Sequence, residues 1–149
     1  MEDAAVQFED DSESGIEINE RMFTLIGAAG AVMNLVAFSA VGYLALESVA
    51  YGVIAGVFGS VGSYLFLPWF MGISAVQEQV EEEIGFTEAS RHVPASAQLG
   101  VLGAGLEVGS IVAIGVGLSL AEPDPLIGAG AAIAATLVIY LVGSTLLDV

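Results

Sequence analysis

Glu107 is the residue of this sequence with the clearest chemical potential, because it is the one carboxylate inside a long apolar stretch, residues 100–120. A charged residue at the centre of a membrane-spanning helix costs roughly 2.5 to 3.5 kcal/mol, so its side chain should face protein or water. No Lys, Arg or His lies inside any apolar stretch of the chain. We therefore expect the carboxyl to be protonated and hydrogen-bonded, with Asn34 or Thr136 as its partner.

One polar residue lies near the centre of each of four apolar stretches, and these residues are Asn34, Ser60, Glu107 and Thr136. If the four stretches form one helical bundle, the four side chains can meet at one depth as a candidate intramembrane polar site. Two interpretations of this site stay open. Glu107 is either a structural staple between helices or a reversible site for a proton or a small cation such as Na⁺.

Enzyme chemistry finds little support in the sequence. There is no cysteine, no H-E-x-x-H motif, and no histidine within an apolar stretch that could ligate haem or serve a serine as a base. The acidic run 81–83 is typical of a solvated face, and His92 of a surface position near the headgroups. We predict no catalytic residue, no metal site and no cofactor.

Hydropathy and length predict the elements that hold these residues. Four apolar stretches cover residues 22–44, 49–76, 97–120 and 126–147, and each reaches the roughly 20 residues needed to cross hydrocarbon as a helix. The predicted fold is an all-α integral membrane protein in which residues 21–149 form two hairpins in one four-helix bundle. Residues 1–20 are predicted to be a disordered acidic tail, and residues 77–96 the single long loop.

Glycine spacing predicts how these helices pack. Small residues three or four positions apart lie on one helix face and allow a neighbouring backbone to approach closely. The predicted packing positions are Gly27, Gly30, Gly52, Gly56, Gly100, Gly103, Gly105 and Gly109. The last two form a face of their own, suited to another helix or to another copy of the protein. Pro68 predicts a kink in the second helix, because proline lacks an N–H donor.

A weak internal repeat relates the first and third stretches. At one constant offset Gly27, Gly30 and Asn34 match Gly100, Gly103 and Glu107. The match fits either a duplicated helical hairpin or chance in a glycine-rich chain.

The charge balance is strongly acidic, with 18 Asp and Glu residues against Arg21, Arg91 and no lysine, for a net charge of −16. Nucleic acid is excluded as a partner, since phosphate binding requires clustered cations. This composition resembles that of uncharacterised small multi-span membrane proteins of haloarchaea, a resemblance that covers the whole chain and involves no specific motif. Both arginines fall on one side of a four-span layout, which predicts a multi-pass cell-membrane protein with both termini and the long loop in the cytoplasm.

Two functions are compatible with these features. The first is a structural or accessory subunit whose glycine-rich helix faces pack against itself or a larger membrane complex within the lipid bilayer. The second is a small proton- or cation-coupled transporter that uses Glu107.

Overall fold

The computed structural model describes residues 10–79, 84–93 and 96–148. Five helices make up this part of the chain: α1 (Asp10–Leu46), α2 (Val49–Gln79), α3 (Phe86–His92), α4 (Ala97–Ser119) and α5 (Pro125–Leu147). No strand occurs among the described residues. The acidic run 81–83 lies outside them.

Four of these helices are long and apolar enough to cross a membrane. The qualifying segments are Arg21–Leu46, Val49–Glu78, Ala97–Ser119 and Pro125–Leu147. The two shortest, at 23 residues each, extend about 35 Å, which exceeds the roughly 30 Å of a hydrocarbon core. The prediction of an all-helical fold with four such helices is confirmed.

Short polar turns separate the helices within each half of the chain. At the start of α5 the side chain of Asp124 accepts a hydrogen bond from the backbone N–H of Leu126 at 2.9 Å, and Pro125 occupies the first helical position. This is the arrangement that best begins a helix, because a capping oxygen satisfies one free N–H and proline has none to satisfy. Between α1 and α2, Glu47 adopts a positive φ of 50°.

The structure adds detail to the predicted layout at two places. Helix α1 is assigned from Asp10, inside the segment 1–20, and residues 1–9 lie outside the described part, so the disordered acidic tail stays a prediction. Extending a nucleated helix costs far less than starting one, so a long apolar helix readily propagates into a polar flank. The long loop also contains the short helix α3, which buries Ala89 and sets Phe86 edge-on against Trp69 at 5.7 Å.

The four long helices are arranged with α2 and α4 at the centre. Helix α2 packs along both α1 and α4, while α5 packs mainly along α4. In the most apolar part of each helix, 39% of α2 and 44% of α4 is buried, against 17% of α1 and of α5. The outer faces of α1 and α5 therefore expose large side chains such as Met33 and Leu126, which are 72% and 81% exposed. Faces of this kind suit contact with lipid.

Pro68 lies inside α2, which continues past it as a helix to Gln79. The pyrrolidine ring packs against Gly27 of α1, where an added Cβ would come within 2.9 Å of the proline Cγ. The proline therefore contributes to the α1–α2 contact. The kink predicted at this position stays a prediction.

Candidate functional site

The candidate site forms where α2 and α4 cross with their backbones in contact. A Cβ added to Gly62 would lie 2.8 Å from the amide nitrogen of Glu107. A Cβ added to Gly103 would lie 2.6 Å from the amide nitrogen of Phe66. Because no side chain separates the helices here, Ser63 of α2 comes directly against Glu107 of α4.

Helix α1 reaches the same point from the other side of α2. Gly30 faces Leu67 and Ser63 of α2, so the two helices approach closely at that level. Asn34 lies one helical turn after Gly30, on the same face of α1. The amide of Asn34 is thereby placed beside both Ser63 and the carboxyl of Glu107.

These three side chains form what we call the polar cluster, consisting of Asn34, Ser63 and Glu107. Asn34 Nδ2 donates a hydrogen bond to Glu107 Oε1 at 3.0 Å and a second one to Ser63 Oγ. The Ser63 hydroxyl donates to the same Oε1 of Glu107. Ser63 is only 1% exposed, whereas Asn34 and Glu107 are partly buried. One carboxyl oxygen thus joins three helices.

The chemistry open to this cluster is limited by what surrounds it. Apart from Arg21 at the start of the first, no Lys, Arg or His lies inside the four long apolar segments. Among the described residues no group donates a hydrogen bond to the second carboxyl oxygen of Glu107, Oε2. Nor do the described residues contain a group of three or more His, Cys, Asp or Glu side chains that could hold a metal ion. The cluster can hold helices together, and its free oxygen can carry a proton.

Two of the four residues predicted to meet at this depth lie elsewhere. Thr136 of α5 is buried against the opposite face of α4. Its hydroxyl lies 2.8 Å from the carbonyl oxygen of Ala132 in its own helix and 3.1 Å from that of Gly105 in α4. Ser60 lies one turn before Ser63 and makes no side-chain hydrogen bond to any residue that the structure describes. Of the two partners expected for Glu107, Asn34 makes the contact and Thr136 does not.

Ser63 is the member of the cluster that the sequence interpretation missed. The spacing of small residues in α2 could have identified it. Gly52, Gly56, Gly59 and Ser63 follow one another at intervals of four, three and four residues. Such spacing places all four on one face of a helix. That face is the one that contacts α1, through Ser39, Leu35 and Phe38.

The eight glycines singled out for packing all lie against a neighbouring helix of the same chain. At each of them an added Cβ would come within 3.0 Å of an atom of another helix. Gly27 and Gly30 face α2, Gly52 and Gly56 face α1, Gly100 and Gly103 face α2, and Gly105 and Gly109 face α5. The face of Gly105 and Gly109 is therefore occupied by a helix of this chain, not by a second copy.

A second polar contact ties α2 to the start of α5. The Tyr51 hydroxyl donates to the backbone carbonyl of Asp124 at 2.7 Å, and the side chain is fully buried. Its ring fills the space beside Gly117 and Gly128, where an added Cβ would lie 2.9 Å or less from ring atoms. The contact secures the end of the bundle away from α3.

The described part of the chain is thus all-helical, with four helices long and apolar enough to cross a membrane. The polar cluster joins three of these helices by hydrogen bonds. No protein-family model, no curated protein and no solved structure matches the chain.

Proposed function

We propose that this chain is a structural or accessory membrane subunit in which the polar cluster staples α1, α2 and α4 together. The observation that carries the proposal is the double hydrogen bond to Glu107 Oε1, donated by Asn34 and Ser63 from two other helices. A polar group in hydrocarbon must find its partners inside the protein, so such a cluster fixes which helices associate and in which register.

Another subunit would then contact the outer helices α1 and α5, because the eight packing glycines already contact helices of this chain. Gly130 on α5 has no neighbouring atom within 4 Å of an added Cβ, and Ala134, one turn later, is exposed. Small residues four positions apart allow a partner helix to approach closely. Chemical cross-linking followed by mass measurement in mild detergent tests this step: a mass of one chain only, with no partner captured, counts against an accessory role.

The staple itself is tested by two substitutions at Glu107. Glu107→Gln keeps an acceptor oxygen and should change the free energy of unfolding by less than about 0.5 kcal/mol. Glu107→Leu removes the acceptor of two interhelical hydrogen bonds and should cost about 1 to 2 kcal/mol. Unfolding by SDS in mixed micelles measures both, with Val108→Leu at the neighbouring, more exposed position as the control. Unaltered stability of Glu107→Leu would contradict the staple.

A proton- or cation-coupled transporter is the second candidate function. It is favoured by the second carboxyl oxygen, Oε2, which has no hydrogen-bond donor among the described residues, and by the partial exposure of Glu107. Flux of protons or Na⁺ into reconstituted vesicles separates the two candidates. Glu107→Gln cannot release a proton, so it should abolish coupled flux in a transporter while leaving the fold stable. Absence of flux in the parent protein removes this candidate.

The same proposal includes a topology. The four long helices form two hairpins, α1–α2 and α4–α5, in one membrane domain. The two arginines place both termini and the loop 77–96 in the cytoplasm by the positive-inside rule, and the α4–α5 turn on the opposite side. The packing of α1 along α2 and of α4 along α5 supports this pairing.

A further inference from the structure

A cavity of about 480 Å³ lies beneath α3, between α2, α4 and α5. Its walls are almost entirely apolar and include Phe66, Trp69, Phe86, Val101, Ile139 and Leu147. The volume falls within the range of about 300 to 1,000 Å³ that small-molecule sites usually have. Walls with so few hydrogen-bonding groups favour a hydrocarbon occupant over a polar one.

The cavity is elongated along α5. Its lining residues on that helix extend from Ile139 to Leu147, a distance of about 12 Å along the helix axis. The Leu147 end lies beside α3 and the end of the helix, where the chain returns to polar residues. An apolar cavity of this length that begins beside polar residues can accommodate part of one acyl or prenyl chain.

Helix α3, which lines the cavity through Phe86 and Thr87, carries two of the chain's three Arg and His residues. The whole sequence has two Lys or Arg residues and one histidine, and Arg91 and His92 both fall in the last turn of α3. Arg91 lies one turn after Thr87, a lining residue, and Asp148 directly follows Leu147. Arg91 and Asp148 form an ion pair at 3.6 Å, and their side chains are 57% and 90% exposed. A pair so exposed holds its cation weakly, and guanidinium binds phosphate oxygens with two parallel hydrogen bonds.

We infer that this cavity binds one membrane lipid, with an apolar chain among Trp69, Val101 and Ile139 and an anionic phosphate headgroup on Arg91. The headgroup takes the place of the Asp148 carboxylate. This chain has a net charge of −16, and Arg21 and Arg91 are its only Lys or Arg residues. Arg91 is therefore the arginine of α3 that an anionic headgroup at the cavity can contact. The inference concerns a site separate from the polar cluster and does not depend on the role of Glu107.

Trp69 provides the test, because it is the only tryptophan and lines the cavity. The full chain is reconstituted in phosphatidylcholine vesicles that contain a small fraction of acyl-brominated phosphatidylglycerol or, separately, of acyl-brominated phosphatidylcholine. Bromine quenches tryptophan fluorescence only at short range. We expect the anionic lipid to be preferred about fivefold in quenching Trp69, since one basic residue at the membrane surface contributes about that factor.

Three variants sharpen the result. Arg91→Gln should reduce the preference to about one without changing the fold, because the side chain is exposed. Ala104→Phe fills the cavity and should reduce quenching by both lipids, whereas Ile111→Phe, on the exposed face of α4 and outside the cavity lining, should not. Equal quenching by the two lipids in the parent protein, or an undiminished preference in Arg91→Gln, would overturn the inference. Should Ala104→Phe fail to fold, Arg91→Gln decides the question alone.

Discussion

Replacing Gly62 by alanine adds one methyl group at the point where α2 and α4 touch, and the structure gives the size of the effect. The added Cβ would lie 2.8 Å from the amide nitrogen of Glu107 and 2.9 Å from the carbonyl oxygen of Gly103. Both atoms belong to the backbone of α4 and cannot rotate away. Reaching an ordinary contact of 3.4 Å requires the helices to separate by about 0.6 Å at this level. Overpacking of this kind costs about 1 to 3 kcal/mol.

Gly130→Ala is the matched control, because nothing lies within 4 Å of a Cβ at that position of α5. Alanine is favoured over glycine in a helix by about 0.5 to 1 kcal/mol, and this gain is common to both variants. The difference between the two free energies of unfolding therefore isolates the packing cost and should be about 1 to 3 kcal/mol in favour of Gly130→Ala.

The assay is SDS unfolding in mixed micelles, followed by the fluorescence of Trp69 and by far-ultraviolet circular dichroism. Separation of α2 from α4 should also lengthen the hydrogen bond from Ser63 to Glu107. Gly62→Ala and Glu107→Leu should then be non-additive, since both act on the same contact. If Gly62→Ala and Gly130→Ala unfold at the same SDS concentration, α2 and α4 do not cross where the structure places them, and the reasoning about the polar cluster fails with it.

Two further predictions concern the ends of the helices. Tyr51→Phe keeps the ring but removes the hydroxyl that donates to Asp124, so it should cost about 0.5 to 1.5 kcal/mol in the same unfolding assay; no loss would mean that the hydroxyl gains nothing over a lipid or water partner. The chain has no cysteine, so Glu122→Cys and Asp148→Cys can each be labelled alone. A membrane-impermeant maleimide should reach Glu122→Cys on intact cells and Asp148→Cys only after permeabilisation, and the reverse pattern would invert the proposed topology.

The four long helices could be predicted from the sequence because hydrocarbon imposes one simple requirement on length and composition. The contact between Asn34 and Glu107 could also be anticipated, since each is the most polar residue of its apolar stretch and must find a partner inside the protein. The glycine pattern identified contact faces for the same reason. In these cases the physical constraint acts on the residue itself and does not depend on the partner.

The remaining features depend on helical phase and tertiary contact. Ser60 lies near the centre of its apolar stretch, which is why the sequence predicts it in the site. The face of α2 that meets α1 and α4 is decided by rotation about the helix axis, which brings Ser63 inward instead. Thr136 of α5 contacts Gly105 on the opposite face of α4, away from the polar cluster. Helix α3 has only seven residues and too little intrinsic stability to be identified alone; the burial of Ala89 and the edge-on contact of Phe86 with Trp69 hold it in place.

The order of the polar cluster along the chain bears on how the protein is made. Asn34 and Ser63 leave the ribosome well before Glu107, so under the proposed topology the first two helices would enter the lipid with two donors and no acceptor from α4. The hydrogen bond between those two side chains gives each a companion during that interval. In that order of insertion the acid of α4 would meet this pair, and the close contacts at Gly62 and Gly103 allow only the register that places Glu107 beside it.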